Sequence, residues 1–436
     1  MNPARGAETG FARGRLSLQP PRSLIPCLKP APATNHYCYS AAVCLLFSVL
    51  CVLFLAGCAT TSRHSPGRTL VEAKSTILPA RIISNFFVVE TKWADGRTYR
   101  FLLDTGSTVT YVTPDLAKRF AVKERKGTTT HTVRVRSASG GEIELPAVTL
   151  QKLSLGSAAF ERVPALVFDF ADLSGHLGLQ IDGIIGFPVF HDTLLTLDYP
   201  GERLVIAPYP VTPAPAPKPS PRTSSIAFNN QQGTPLIPIQ MGNESFIVLI
   251  DSGSDGSLSL NPVGLHPRFA NGPRIGTLIS SLHGDRRQLT GRLNLDVLIG
   301  AHTIEKPIVD LTDQLSSIGG EFLRHFVLTF DQRRNQVTFV RDADGTVMMA
   351  PRRSSGLSFA RSPVYWRVLT VIPDTPTALL PVQAGDLCVR INGEPVEKWG
   401  YERYAALLKS APKITYTFLV GTKETDVEVP VFELVP

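Results

Sequence analysis

Beyond residue 75 the chain is written in short apolar runs broken by Gly, Pro, Asn and Asp, with few long amphipathic stretches. Residues 82–89 and 99–103, separated by Ala94-Asp95-Gly96, read as strands. Val133 and Val135, then Ile143 and Leu145, alternate about Ser137-Ala138-Ser139-Gly140-Gly141, which predicts a hairpin able to cover a cleft. Residues 116–120 follow Pro114 as a short helical turn. Strand signals resume at 235–239 and 246–250. After Val340 the pattern changes: strands are expected at 366–372, 387–391, 414–420 and 427–432, with a helix over 401–408. The fold class this predicts is mainly β.

Two of these runs end alike. Phe101-Leu102-Leu103-Asp104-Thr105-Gly106-Ser107 is followed 251 − 104 = 147 residues later by Val248-Leu249-Ile250-Asp251-Ser252-Gly253-Ser254. Each places an acid at the end of an apolar strand, and the glycine permits a tight turn that brings N–H groups and hydroxyls back onto the carboxylate. Downstream the likeness continues at a constant offset of 133. Ile185-Gly186 falls on Ile318-Gly319, Leu195-Thr196-Leu197-Asp198 on Leu328-Thr329-Phe330-Asp331, and Leu204-Val205-Ile206 on Val337-Thr338-Phe339. Both copies close in a hairpin, through Tyr199-Pro200-Gly201-Glu202 and Gln332-Arg333-Arg334-Asn335, and Asp198 and Asp331 read as turn acids. Ordered, repeated features of this kind indicate a duplicated domain. Two carboxylates brought face to face share a proton and a water, which is the chemistry of acid–base peptide hydrolysis.

At 436 residues two or three domains are expected, and 43% apolar against 19% charged residues describes a globular chain. Five of the six cysteines (Cys27, Cys38, Cys44, Cys51, Cys58) precede residue 59 and only Cys388 follows, which excludes a disulfide framework in the folded part. No Cys/His spacing suits zinc, so neither metal nor cofactor is expected. Residues 41–56 form an apolar run, short for a membrane span but suited to a signal segment. The following Leu55-Ala56-Gly57-Cys58 resembles the lipobox of bacterial lipoproteins, which implies processing at 1–57 and lipidation of Cys58; an uncleaved anchor helix is the alternative. The five Lys/Arg and one Glu before Cys58 carry +4 of the net +7, and the remaining +3 gives no case for nucleic-acid binding.

The repeated Asp-[Thr/Ser]-Gly-Ser with its downstream Ile-Gly resembles the pepsin-like and retropepsin-like aspartic proteases. That implies two tandem β-barrel lobes, 76–209 and 226–345, with a tether at 58–75 and a proline-rich linker at 210–225. It also implies Asp104 and Asp251 as the catalytic pair across a pseudo-two-fold axis. Thr105 and Ser252 would cross-brace the turns, Gly106 and Gly253 would shape them, and Ser107 and Ser254 would hydrogen-bond the outer carboxylate oxygens. Residues 355–436 resemble a PDZ domain of the bacterial protease type. There Gly356-Leu357-Ser358-Phe359 would be the carboxylate-binding loop and 365–371 the strand that follows it. The resemblance implies a monomeric, lipid-anchored endopeptidase of the bacterial envelope, at the outer membrane, acting on peptide or protein substrates. The alternative is a catalytically inactive envelope-anchored peptide-binding scaffold.

Overall fold

Strands with one or both faces buried build most of the molecule, because the apolar runs are too short and too β-branched to sustain helices. The structure, a computed structural model, describes residues 67–71, 74–123, 131–136, 142–210, 220–281 and 284–436. The expected signal segment, Cys58, most of the tether, the glycine turn at 137–141 and prolines 213–219 lie outside the described residues.

The first half contains β1 (Arg68–Leu70), β2 (Thr76–Ile83), β3 (Phe86–Lys92), β4 (Thr98–Asp104), β5 (Thr110–Val112) and α1 (Pro114–Phe120). It continues with β6 (Thr132–Arg136), β7 (Glu142–Leu155), β8 (Ala158–Val167), α2 (Ala171–Leu177), β9 (Gly183–Gly186), β10 (Thr193–Asp198) and β11 (Arg203–Pro208). The second half contains β12 (Thr223–Ala227), β13 (Leu236–Met241), β14 (Glu244–Ile250), β15 (Leu258–Leu260), β16 (Phe269–Ser281) and β17 (Gly284–Leu293). After these come β18 (Val297–Ile299), β19 (His302–Glu305), β20 (Ile308–Leu311), β21 (Ser317–Ile318), α3 (Gly320–Leu323), β22 (Val327–Asp331), β23 (Gln336–Val340) and β24 (Val347–Met348). Helix α1 forms where the sequence puts it, with Thr113 capping the Leu116 N–H.

Strand order repeats between the halves. The path β3-β4-β9-β5-β8-β7-β6 in the first is matched by β13-β14-β21-β15-β20-β17-β16 in the second. In each, the acid-bearing strand runs parallel to the strand of the Ile-Gly pair: β4 beside β9, β14 beside β21. The halves are then sewn together by a shared floor of order β12-β23-β22-β10-β11-β2, which reads the same from either end. At its centre β10 and β22 pair antiparallel with Thr196 opposite Thr329, and their hydroxyls hydrogen-bond at 2.9 Å. These are equivalent residues of the two copies, so the pseudo-two-fold axis passes between them. The floor also absorbs part of the expected 210–225 linker, since β12 begins at Thr223.

One apolar core runs through both halves and the floor, where Phe330 is fully buried against Phe187 with ring centroids 5.2 Å apart. Phe330→Ala is expected to cost about 3–5 kcal/mol through lost burial and the cavity left behind; urea unfolding monitored by tryptophan fluorescence measures it. Strand β4 is buried on both faces. Phe101 and Leu103 enter the main core, while Leu102 faces a second apolar layer with Ile83, Val88, Phe170 and Leu177. That is why its sequence is continuously apolar and does not alternate.

The C-terminal domain contains β25 (Arg352–Ser354), β26 (Leu357–Arg361), β27 (Trp366–Val371), β28 (Leu387–Ile391), β29 (Glu394–Pro395), α4 (Tyr401–Ser410), β30 (Lys413–Val420), β31 (Lys423–Pro430) and β32 (Phe432–Val435). Its main sheet has the order β26-β27-β28-β30-β31 and its own core around Trp366, Tyr404 and Tyr416. It packs on both halves. Ile308 of the second half clusters with Ile372, Leu434 and Val435. Arg352 reaches Asp310 at 2.6 Å and Glu321 at 3.3 Å. Helix α2 of the first half abuts β26, and Tyr401 is directed at Ser84 in the β2–β3 turn. Among the described residues no helix is long and apolar enough to cross a membrane.

Candidate active site

Strands β4 and β14 deliver Asp104 and Asp251 to the middle of the molecule, each at the point where its strand turns away. The turns are closed in the same manner. The Gly106 N–H donates to Asp104 Oδ1 at 2.8 Å and the Gly253 N–H to Asp251 Oδ1 at 3.0 Å. Beneath the acids the turns grip each other. The Thr105 N–H donates to Ser252 Oγ at 3.0 Å, and the Ser252 N–H to Thr105 Oγ1 at 3.0 Å. The Thr105 hydroxyl donates to the Ile250 carbonyl and the Ser252 hydroxyl to the Leu103 carbonyl, both at 2.7 Å. Both residues are buried, so no water competes for these four bonds.

The grip brings each carboxyl up against the turn that carries the other. Glycine is what permits this. A Cβ on Gly106 would lie 2.5 Å from Asp251 Oδ1, and one on Gly253 would lie 2.3 Å from Asp104 Cγ. The downstream glycines act from the other side. A Cβ on Gly186 would meet the Val109 carbonyl oxygen, and one on Gly319 the Gly256 carbonyl oxygen, each at 2.5 Å. The single isoleucine before Gly319 suffices, since Ile318 pairs with Ile250 and is fully buried.

Burial is the main reason that the Asp104 carboxyl titrates well above the ordinary range; repulsion from Asp251 adds to it, and the Gly106 and Ser107 N–H groups oppose it. Asp251 is raised too, again chiefly by burial and against the Gly253 N–H. The two share one proton over a pH range in which isolated aspartates are fully ionised.

Ser107 is placed differently from expectation. Its hydroxyl donates to the Val109 carbonyl at 2.8 Å, so its proton is not on the Asp104 carboxylate. Ser254 Oγ instead accepts the Gly256 N–H at 3.4 Å. With one hydroxyl proton each, these serines stiffen the turns that carry the acids.

The expected carboxylate-binding loop also differs. Gly356 and Leu357 are buried, the Gly356 N–H donates to Ser354 Oγ at 2.9 Å, and Thr377 packs over the glycine. Leu357, Ser358 and Phe359 belong to β26, and the Phe359 ring lies against Trp366, Tyr404 and Tyr416. The strand expected over 365–371 forms as β27, but it pairs on both sides, with β26 and β28. The edge strand is β26.

Two residues near the acids escaped the sequence reading. Tyr111, on β5, has its hydroxyl raised by burial and then by Asp104. Tyr199 is buried below the pair, its hydroxyl raised by burial and by both acids. Their signal lay in the repeat itself, as the positions where the copies part: Tyr111 stands against Leu258 and Tyr199 against Gln332.

Residues 89–189, from β3 through the first acid to the turn after Ile185-Gly186, match the family model for aspartyl proteases. No curated protein matches the chain.

Proposed function

We propose that this protein is an aspartic-type endopeptidase whose catalytic pair, Asp104 and Asp251, is assembled within one chain. The observation that carries the reading is the close approach of two half-buried acids, each set against the glycine of the other's turn and held from below by the reciprocal Thr105–Ser252 bonds. In that arrangement one carboxyl is ionised and one protonated. The ionised one takes a proton from a water lodged between them as the water oxygen attacks the peptide carbonyl carbon. The protonated one donates to the carbonyl oxygen, giving a neutral diol. Collapse of the diol returns a proton to the departing amine and restores the shared-proton state. No bond to the protein forms.

The test is cleavage of quenched-fluorescence peptide libraries by the wild type and by asparagine variants of each acid. Wild-type turnover is expected to persist in EDTA and with serine- and thiol-directed reagents. Full activity in either asparagine variant rejects the pair.

Envelope anchoring is the second part of the proposal, resting on the apolar run at 41–56 and Leu55-Ala56-Gly57-Cys58. Expressed in a bacterium, the wild type is expected to sediment with membranes and incorporate labelled palmitate. Cys58→Ser is expected to accumulate as longer precursor without label. Equal labelling of both removes the anchor.

A further inference from the structure

The two acid turns are alike at the acids and differ in what holds them from outside. In each copy the residue after the downstream Ile-Gly pair binds the turn. The Phe187 N–H donates to the Ser107 carbonyl at 3.0 Å, and the Gly320 N–H to the Ser254 carbonyl at 2.7 Å. One residue further the copies part. Pro188 has no N–H to give, and the Val109 carbonyl takes the Ser107 hydroxyl instead. At the equivalent place Glu321 donates its N–H to the Gly256 carbonyl at 3.0 Å. Phe187 anchors the first strip in the core. Gly320 brings no side chain and has room for none, since a Cβ there would overlap the Asn85 carbonyl oxygen.

A further hold on the second strip comes from outside the repeat. Arg352, in β25, directs Nη1 to Asp310 Oδ1 at 2.6 Å and to Thr290 Oγ1 at 3.0 Å, and Nη2 to Glu321 Oε2 at 3.3 Å. Thr290 and Asp310 are buried and Arg352 largely so, which shields these bonds from water and salt. One guanidinium thus ties β17, β20 and α3 together, and α3 carries the N–H groups that hold the Asp251 turn. Three residues earlier the same segment touches the turn directly, where the Ser257 hydroxyl donates to Met349 Sδ at 3.0 Å. Arg352 is itself fixed by the C-terminal domain, since β25 pairs with β32 and sets Arg352 opposite the fully buried Val435.

We propose that Arg352 is a positioning residue of the dyad: through Glu321 it holds the turn that carries Asp251 in place opposite Asp104. The inference rests on the hydrolytic reading for what the turn does, and it makes the C-terminal domain a structural part of the active site. A guanidinium suits the task because its planar fork meets two carboxylates at once in a fixed geometry. Without it Glu321 is released, the strip that binds the Gly256 carbonyl loosens, and Asp251 drifts relative to its partner.

The experiment compares the full-length wild type with Arg352→Met and Arg352→Lys. On a cleaved peptide, Arg352→Met is expected to lower kcat by about 10- to 100-fold, the cost of a misplaced reacting group, with KM held within about twofold. Arg352→Lys should recover part of kcat, since an ammonium can meet one carboxylate but cannot hold two in a plane. Hydrogen exchange followed by mass spectrometry gives a second readout that needs no turnover. The amides of residues 251–257 are expected to exchange at least about tenfold faster in Arg352→Met, with those of 104–110 unchanged. A general loss of stability would speed both turns alike. Should Arg352→Met fail to fold, Glu321→Gln keeps the main-chain N–H, removes the charge, and is expected to move both readouts in the same direction. A wild type that cleaves no peptide counts against the hydrolytic reading, and the exchange comparison then decides this proposal alone. Unchanged exchange at 251–257, equal acceleration of both turns, an unaltered kcat, or a loss confined to KM overturns it.

Discussion

Asp104→Asn and Asp251→Asn are each expected to lower kcat/KM for peptide cleavage by about 10³-fold or more, since each removes one of two coupled proton transfers. Substrate binding should change little. The wild-type pH profile should be bell-shaped, because activity requires one proton on the pair. The falling limb at high pH is expected above the ordinary carboxylate range, as burial and mutual repulsion raise the acid that keeps its proton.

The same shifts govern stability. Unfolded aspartates titrate near about 3.9, and both folded groups titrate higher, so the folded state binds more protons between those limits. The contribution of the pair is therefore fully present below the unfolded value and is lost as pH rises through the folded ones. An asparagine variant buries one ionisable group fewer. Asp251→Asn is expected to be inactive yet to melt at higher temperature than the wild type at pH 8, the gap closing towards pH 4. Scanning calorimetry across that range measures it; a wild type more stable than the variant at pH 8 contradicts a shared, repelling pair.

Ser252→Ala is expected to produce the largest loss of stability outside the hydrophobic core. It deletes one oxygen but strands two buried groups, the Thr105 N–H and the Leu103 carbonyl. At about 1–3 kcal/mol for each, the cost is roughly 2–6 kcal/mol. Turnover should fall with it, because Leu103 and Thr105 flank the acid that the grip positions. Ser252→Thr should preserve both bonds, since the first copy already carries Thr105 at the equivalent position. Thr105→Val strands the Ser252 N–H and the Ile250 carbonyl in the same way. The double variant should cost less than the sum of the singles, because the two hydroxyls serve one network. Strict additivity in urea unfolding, or a Ser252→Ala protein as stable as the wild type, rules out a joint grip.

Much of this architecture was legible in the sequence because it is written twice. Local pattern gave the strands that end in Asp104 and Asp251, and the offset of 133 tied the Ile-Gly pairs and closing hairpins to them. Asp198 behaves as a local turn acid, accepting the Gly201 N–H at 2.8 Å, and Asp331 likewise accepts the Arg334 N–H at 3.0 Å. Such features depend on residues a few positions apart, so the sequence alone determines them.

What only the tertiary structure decided lies where distant segments compete for one group. A serine hydroxyl has a single proton, and nothing local showed that Ser107 would give it to Val109 instead of Asp104. Gly356 looked like the start of an open loop, but Ser354 and Thr377 bury it. Tyr111 and Tyr199 gain their place beside the acids only when strands from elsewhere in the chain close around them. Helix α2, seven residues interrupted by Gly175, carries too weak a pattern to be read alone, and packing against β26 gives it a role. Arg361 is the clearest case: its guanidinium lies over the rings of Trp366, Tyr401 and Tyr404, and no carboxylate pairs with it among the described residues. A sequence records that an arginine is present, but whether any carboxylate can reach it depends on the fold.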